Sequence, residues 1–227
     1  MVDVLETQIA RHERTVFGAI LTLAAGGLDA YSYLVHGEVF AGLQTGNLIL
    51  FGVHLGQGDL VGSGRYLVSL LAFFVGTIIV RVLQRHRWLG QHDPQRRQAI
   101  LLYVAVVLVL AVVFSQWGVA VLGTALLSVA AAAVLQEFRR LNGGPFTPLM
   151  MTGNLRTLAE TSFDALWLHE QKAWTKLRQT ATIMVTFAVG AGLVALLRRW
   201  LGAATIVVPV IALLGAWWYL RREGDAN

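Results

Sequence analysis

The sequence predicts an all-α membrane protein with six transmembrane helices in a 3+3 inverted repeat, each half carrying a re-entrant or broken half-helix. Three observations predict this fold: an apolar composition, an internal duplication and an uneven distribution of basic residues. Of the 227 residues, 56% are hydrophobic and 14% are charged, and the mean hydropathy is +0.62. Such values are typical of polytopic membrane proteins. The length suits about six spans of roughly 20 residues each, so we treat residues 1–227 as a single membrane domain.

The duplication centres on the tripeptide Thr-Gly-Asn, here called the TGN element. Its first copy is Thr45-Gly46-Asn47, and its second is Thr152-Gly153-Asn154, 107 positions later. A glycine precedes each copy by eight residues, and several apolar residues match at the same offset. Apolar matches between membrane segments arise easily, whereas a shared glycine and tripeptide at one spacing indicate duplication. The repeats cover approximately residues 15–116 and 117–222.

Hydropathy divides each half into three strong spans and one TGN segment. The predicted spans are Val16–His36, Tyr66–Leu83, Ala99–Phe114, Gly118–Leu135, Gln179–Leu197 and Ala203–Leu220. The TGN segments are Gly37–Gln57 and Asn142–Leu168. Residues 58–65 and 86–98 are predicted to be loops, and a polar run follows the second TGN segment through Arg178. Residues 1–14 are polar and contain acids, which is unlike a signal peptide, so we expect them at the cytoplasmic face.

The distribution of basic residues indicates whether the TGN segments cross the membrane. If both cross, basic residues fall about equally on the two sides. If each enters and leaves on its own side, one face collects nearly all of them: Arg11, Arg14, Arg81, Arg85, Arg87, Arg96, Arg97, Arg139, Arg140, Lys172, Lys176, Arg178, Arg221 and Arg222. The other face then receives only Arg65, Arg198 and Arg199. The positive-inside rule favours this second arrangement, in which three crossings per half make the halves oppositely oriented. An eight-crossing protein of dual topology is the competing account.

The TGN elements are the predicted solute site. In each copy an extended approach precedes Thr-Gly-Asn, where Thr and Asn are good N-caps and Gly lets the backbone turn. Two helix starts approaching from opposite faces would direct free N–H groups at the membrane midplane, where they suit an anion. The simpler interpretation is that each TGN element only fixes the start of a re-entrant loop. Thr45, Gly46, Asn47, Thr152, Gly153 and Asn154 are therefore the predicted binding residues.

Asp29 is the most informative single residue, because an acid inside an apolar span usually faces a cavity or a partner. Its counterpart in the second half is Gln136, with Glu137 beside it. We predict that Asp29 and Gln136 contribute to the solute site, with Asp29 coupling transport to a proton or cation. The alternative is that Asp29 is a structural acid that caps N–H groups near the first TGN element.

Several function classes find no support in the sequence. The chain has no cysteine, which excludes thiolate chemistry and disulfides. No Walker-type loop, HExxH or GxSxG motif occurs, and the histidines lack metal-ligand spacing, so we expect no enzyme activity, no metal and no cofactor. The formal charge of +5 comes from residues that set topology, so we expect no nucleic-acid partner.

The stretch GGLDAYSYLVHGEVFAGLQTGN resembles the YoaK-like family of bacterial inner-membrane proteins of unknown function. The shared features are GG-x-DA-x-x-[YF]-L at 26–34, GxVF at 37–40 and the TGN that follows; the second-half GG and TGN at 143–154 resemble the family's pattern too. The resemblance spans nearly the whole chain and implies a small multi-pass bacterial membrane protein. Broken segments that meet at the midplane are also similar to those of sulfate- and uracil-permease-type transporters, which is a likeness of fold alone.

These observations lead to one functional prediction and two alternatives. We expect a secondary transporter or exporter of a small solute, with anions among the candidates, in the bacterial inner membrane with both termini cytoplasmic. A homodimer is plausible because the Gly- and Ala-rich faces favour helix association. The alternatives are a channel-like pore lined by the same elements, and a scaffold that binds a partner or lipid through its basic face.

Overall fold

The computed structural model of the protein describes residues 9–87, 90–148 and 151–224. Residues 1–8 of the polar N-terminal segment, residues 88–89 of the basic loop, and residues 149–150 in the approach to the second TGN element lie outside this description. The α-helices are α1 Thr15–Val35, α2 Gln44–Gly56, α3 Leu60–Arg85, α4 Asp93–Gln116, α5 Ala120–Glu137, α6 Met151–Leu166, α7 Gln171–Leu201 and α8 Val207–Gly224. Short 3-10 turns occur at Arg11–Glu13 and Gly202–Ile206.

Five helical segments of the described residues are long and apolar enough to cross a membrane. Four of them are α1, α3, α4 and α5, and the fifth is the 52-residue stretch Gln171–Arg222 that contains α7 and most of α8. At about 1.5 Å per residue this stretch would extend roughly 78 Å, far more than the bilayer core of about 30 Å. Gly202, at φ 55°, ends α7 inside it. The prediction of an all-α, multi-pass membrane protein is therefore confirmed.

Three of the predicted boundaries are wrong, and each has a local cause. Helix α4 begins at Asp93 rather than Ala99, because Pro94 is tolerated in the first turn of a helix. The GDLVGSGR stretch at 58–65 is the beginning of α3 rather than a loop, because Asp59 caps the helix by accepting a 2.8 Å hydrogen bond from the Gly62 N–H. Helix α7 begins at Gln171 rather than Gln179. Its first turns are rich in Lys and Arg but contain no helix-breaking residue, so the helix extends beyond its apolar part.

The same pairs of helices pack together in the two halves of the chain. Helix α1 packs against α7, as α3 packs against α5, and α4 packs against α5, as α8 packs against α1. The short helices α2 and α6 each pack mainly on the long helix that follows them, α3 and α7 respectively. Exchanging α1–α4 for α5–α8 therefore leaves the principal pattern of contacts unchanged. The largest core cluster lies among α1, α4, α5 and α8.

Glycine permits a close approach between helices α1 and α7. A Cβ atom on Gly26 would collide with the carbonyl oxygen of Phe187, and one on Gly190 would collide with that of Leu23. Since neither helix can move away without losing its other contacts, these positions require glycine. This crossing joins the first half of the chain to the second.

A β-hairpin that the sequence analysis did not predict follows α5. Arg140–Leu141 pairs antiparallel with Gly144–Pro145, and Asn142 and Gly143 form the turn with φ values of 49° and 78°. Asn-Gly is the strongest short signal for a two-residue hairpin turn, because both central residues need positive φ. The Asn142 N–H donates to the carbonyl oxygen of Glu13 at 2.6 Å, which ties the hairpin to the segment before α1.

Candidate functional site

The first TGN element forms the first turn of α2, and Asn47 anchors it. Asn47 is fully buried. Its Nδ2 donates to the carbonyl oxygen of Phe40 at 2.7 Å, and its Oδ1 accepts from the Phe40 N–H at 2.9 Å. One side-chain amide thus satisfies both backbone groups of Phe40, as a neighbouring strand would. The approach segment is consequently held against the helix that it precedes.

Two serines extend this network into the long helices. Nδ2 of Asn47 lies 2.9 Å from Oγ of Ser69 on α3, and that hydroxyl lies 2.7 Å from Oγ of Ser128 on α5. Both serines are fully buried. The sequence analysis missed them, although a hydroxyl inside an apolar span is a recognisable signal because it needs a partner. The start of α2 is therefore bonded to helices from both halves of the chain.

Asp29 binds the same approach segment from the other side. Its side chain is buried on α1, and its Oδ1 accepts a 2.6 Å hydrogen bond from the Gly42 N–H. A carboxylate is a strong acceptor for backbone N–H groups, and the segment around Gly42 has no secondary-structure partner for them. The contact matches the structural alternative given for Asp29 above, and it does not test a coupling role. Asp29 and Asn47 are thus brought together around one loop.

The start of α2 lies deep among its neighbours, whereas its end lies at the end of the bundle. Ser69 is nine residues into α3, a depth of about 13 Å at 1.5 Å per residue. Residues 57–59 join the end of α2 directly to the start of α3. Arg65 donates from Nη1 to the carbonyl oxygen of Gly37 at 3.2 Å, so the chain leaving α1 also lies beside the start of α3. The segment from Gly37 to Gly56 therefore enters and leaves at the same end of the bundle.

The second TGN element has a different environment. Thr152 and Gly153 are exposed on α6, and nothing lies within 4 Å of a Cβ built on Gly153. Among the residues that the structure describes, Asn154 makes only a 3.6 Å contact from Nδ2 to Sδ of Met151. No hydrogen bond or ion pair within residues 9–87, 90–148 and 151–224 joins the two TGN elements. The sequence predicts two equivalent copies. In the structure the asparagine of the first copy is buried and bonded to distant residues, whereas the asparagine of the second is half-buried and has a local contact.

Gln136 lies in a separate polar cluster at the other end of α5. Its Nε2 donates to Oε1 of Gln84 on α3 at 3.1 Å. The neighbouring Glu137 is almost completely buried and accepts from Arg96 on α4 at 3.0 Å and from Nε2 of Gln84 at 3.0 Å. No hydrogen bond or ion pair in the described ranges joins Gln136 to Asp29. The position equivalent to Asp29 therefore contributes to a junction of α3, α4 and α5.

Two histidines near the first TGN segment have polar partners. His36 is buried, and its Nδ1 lies 3.1 Å from Oγ1 of Thr124. His54, at the end of α2, lies 2.8 Å from Oδ2 of Asp59. The Gly62 N–H and the His54 side chain, both bonded to Asp59, hold the pKa of that carboxyl below its usual value of 3.8. The ionised Asp59 therefore connects the end of α2 to the N-terminus of α3.

Comparison with known proteins agrees with this architecture. The UPF0700 transmembrane protein YoaK of Bacillus subtilis (strain 168) is 27% identical over 210 residues, covering 89% of this chain and 92% of that protein. No solved structure matches the chain. The model of the family described as "Protein of unknown function (DUF1275)" matches residues 17–219, which include both TGN elements. The protein is thus a multi-pass membrane protein and belongs to the DUF1275 family.

Proposed function

We propose that this protein is a small secondary transporter or exporter of a small, preferably anionic, solute in the bacterial inner membrane. The observation that carries the proposal is the position of the first turn of α2, which begins beside Asp29 and Ser69, well inside the helices around it. Discontinuous helices that begin within the membrane form the solute sites of many transporters. A buried scaffold that holds such a start in place is costly and suggests a function for it.

The start of α2 offers two donors to a solute. The N–H groups of Thr45 and Gly46 take part in none of the hydrogen bonds found among the described residues. Thr45 is exposed, whereas Asn47 is fully occupied by Phe40 and Ser69. We therefore assign solute contact to these two backbone N–H groups and to the exposed Thr45 hydroxyl, and a positioning role to Asn47. Free N–H groups at a helix start favour an anion or a carboxylate.

We propose that neither TGN helix crosses the membrane and that both termini are cytoplasmic. Helix α2 has 13 residues and α6 has 16, or about 20 and 24 Å, which is short of a bilayer core of roughly 30 Å. Six crossings then remain, in α1, α3, α4, α5, α7 and α8. With a cytoplasmic N-terminus, this arrangement collects the basic residues on the cytoplasmic side, as the positive-inside rule requires.

Three crossings per half give the two halves opposite orientations, and the matching pairs of packed helices support an inverted repeat. Alternating access would move one half against the other across the contacts of α1 with α7 and of α3 with α5. The second element, Thr152-Gly153-Asn154, would contact solute in another conformation of the transport cycle, or it would pack against a second copy of the chain. We therefore propose a homodimer as the transporting unit, which cross-linking from exposed positions of α6 would test.

The primary experiment is thermal unfolding of the purified protein with small anions and neutral metabolites at two pH values. A ligand at about 100 times its Kd adds roughly 2.7 kcal/mol to native-state stability. Thr45→Val and Thr152→Val should reduce a saturable shift, because each removes a hydroxyl at a helix start. Thr182→Val, which changes an exposed threonine on α7, is the matched control.

Flux into proteoliposomes separates transport from the two alternatives. Saturable uptake with counter-exchange supports a transporter, whereas flux that rises linearly with the gradient and never saturates supports a pore. If the ligand raises the melting temperature equally in the wild type and both TGN variants, the solute site does not lie at these elements. Absence of both flux and ligand shift would leave the scaffold as the better account.

A further inference from the structure

The basic end of the bundle contains a polar cavity that the transport proposal does not use. The cavity has a volume of about 350 Å³ and lies where the end of α3, the start of α4 and the end of α5 meet. Five arginines line it, together with three acids, Glu13, Asp93 and Glu137. These arginines are Arg81, Arg96, Arg97, Arg139 and Arg140. The excess of cations indicates that the cavity attracts an anion.

The ion pairs within the cavity show which arginines remain available. Arg96 bonds to Glu137 at 3.0 Å and to Asp93 at 2.6 Å, and Arg97 bonds to Asp93 at 3.1 Å. Arg140 lies 3.4 Å from Glu13. Within the described residues, no ion pair to an acid involves Arg81 or Arg139. Both are exposed at the rim, and Arg81 reaches only Oε1 of Gln84 at 3.4 Å.

An open groove of about 340 Å³ adjoins this cavity along the last turns of α3. Ile78 and Val82 form its apolar part, and Arg81, Arg85 and His86 form its basic part. Arg81 lines both the groove and the cavity. The combined surface therefore passes from exposed aliphatic side chains to unpaired guanidinium groups within two helical turns. This change from an apolar to a basic surface matches the change from acyl chain to phosphate in a phospholipid.

We propose that the groove and cavity together bind an anionic phospholipid of the inner leaflet. Arg81 and Arg139 contact its phosphate, because guanidinium groups pair well with phosphate and these two have no acidic partner of their own. One acyl chain lies along Ile78 and Val82. The inference rests on the cytoplasmic assignment of this face in the proposed topology, and it does not depend on transport.

The test compares defined lipids on the purified full-length protein in neutral detergent. Thermal unfolding is measured with added phosphatidylglycerol, with phosphatidylcholine and with inorganic phosphate alone, and native mass spectrometry counts bound lipid. The double variant Arg81→Gln/Arg139→Gln removes both unpaired cations without breaking an internal ion pair. Arg198→Gln, an exposed arginine at the far end of α7, is the matched control. Arg81→Lys/Arg139→Lys keeps the charge.

We expect phosphatidylglycerol to stabilise the wild type and the Arg198 variant saturably, and to remain bound in the mass spectrum. The apparent affinity should fall about tenfold or more in the double glutamine variant, since each cation at a membrane surface contributes about 1 kcal/mol. The lysine variant should retain most of it. The proposal is overturned if phosphatidylcholine or free phosphate stabilises the wild type as much as phosphatidylglycerol does. It is also overturned if phosphatidylglycerol stabilises the double glutamine variant as much as the wild type.

The lipid and transport proposals fail in different ways. If no lipid binds but the anion panel and flux give positive results, only the lipid site is wrong. If phosphatidylglycerol binds as described while flux is absent, the transport proposal fails and the lipid site stands. If the double glutamine variant does not fold, the wild type is exchanged into phosphatidylcholine micelles instead. If it then loses its bound phosphatidylglycerol without a change in melting temperature, the inference is contradicted.

Discussion

The side-chain amide of Asn47 occupies both backbone hydrogen-bonding groups of Phe40, at 2.7 and 2.9 Å, although the two residues are seven positions apart in the chain. Because this pair is buried, the loop between the two residues cannot open without leaving polar groups unpaired in an apolar environment. The start of α2 is therefore a rigid element of the fold. That rigidity is what a pre-organised solute site requires, and it makes the two TGN elements experimentally distinguishable.

The two TGN asparagines should differ strongly in their effect on stability. Asn47→Ala leaves the buried Phe40 N–H without a partner and removes a donor from the Phe40 carbonyl oxygen, which keeps only Ser69. We therefore expect a loss of about 1–3 kcal/mol in the free energy of unfolding. Asn154→Ala removes only a weak contact with Met151 and should cost less than about 0.5 kcal/mol. Chemical unfolding in detergent measures both values. Equal losses would mean that the first TGN element is not held as described.

Replacement of Asp29 separates its structural role from a coupling role. Asp29→Asn keeps an Oδ1 acceptor for the Gly42 N–H, so we expect the fold to be retained while pH-dependent flux disappears. Asp29→Leu removes the acceptor and should cost about 1–3 kcal/mol of stability. Glu160→Gln, at an exposed acid on α6, is the control for flux. Unaltered pH-dependent flux in Asp29→Asn would exclude Asp29 from the mechanism.

Two glycines on one helix should respond oppositely to alanine. Gly190→Ala places a methyl group against the carbonyl oxygen of Leu23 and should destabilise the protein by about 1–3 kcal/mol through overpacking. Gly192→Ala meets nothing within 4 Å and should stabilise α7 by roughly 0.5–1 kcal/mol through helix propensity. Melting temperatures of the two variants suffice as a readout. A loss at both positions would contradict the described crossing of α1 and α7.

The buried ion pair at the basic end of the bundle should be more sensitive to loss of its acid than the exposed pair on α6. The side chains of Arg96 and Glu137 are 8% and 1% exposed, and Glu137→Gln should cost about 1.5–3 kcal/mol because Arg96 keeps Asp93 but loses its buried anionic partner. The side chains of Arg156 and Glu160 are 80% and 59% exposed, and Glu160→Gln should cost at most about 0.5 kcal/mol. Urea unfolding in mild detergent compares them. Similar small losses would place Glu137 in contact with water.

Cysteine labelling tests the proposed topology, since the chain has no native cysteine. A cysteine at Val61, which is 90% exposed at the start of α3, should react with an impermeant reagent added from outside. A cysteine at Gln91 should react only after the membrane is permeabilised. An eight-crossing protein reverses both results, and a mixture of the two patterns at each position would indicate dual topology. The labelling yield in intact cells is the measured quantity.

The long spans were predictable because apolar length is a property of contiguous residues. Every predicted span corresponds to a helix in the structure, and the errors lie at their ends, as at Asp59 and Gln171. The hairpin at Asn142-Gly143 was missed although its turn signal was present. Asp29 and Asn47 were predicted as notable polar residues, but their bonds to Gly42 and Phe40 depend on the folded loop between them. Solute binding by the TGN elements stays a prediction.

The sequence by itself determined the class of protein and the positions of the long apolar helices, because these follow from composition and apolar run length; the duplication stays a prediction from spacing along the chain. Only the tertiary structure decided that the two TGN elements have unequal environments. Asn47 meets Ser69 from 22 positions away, and Ser69 meets Ser128 from 59 positions away, whereas Asn154, within the described residues, meets only Met151 three positions before it. A repeated tripeptide specifies the same local helix start twice, but its burial is set by which helices come to surround it.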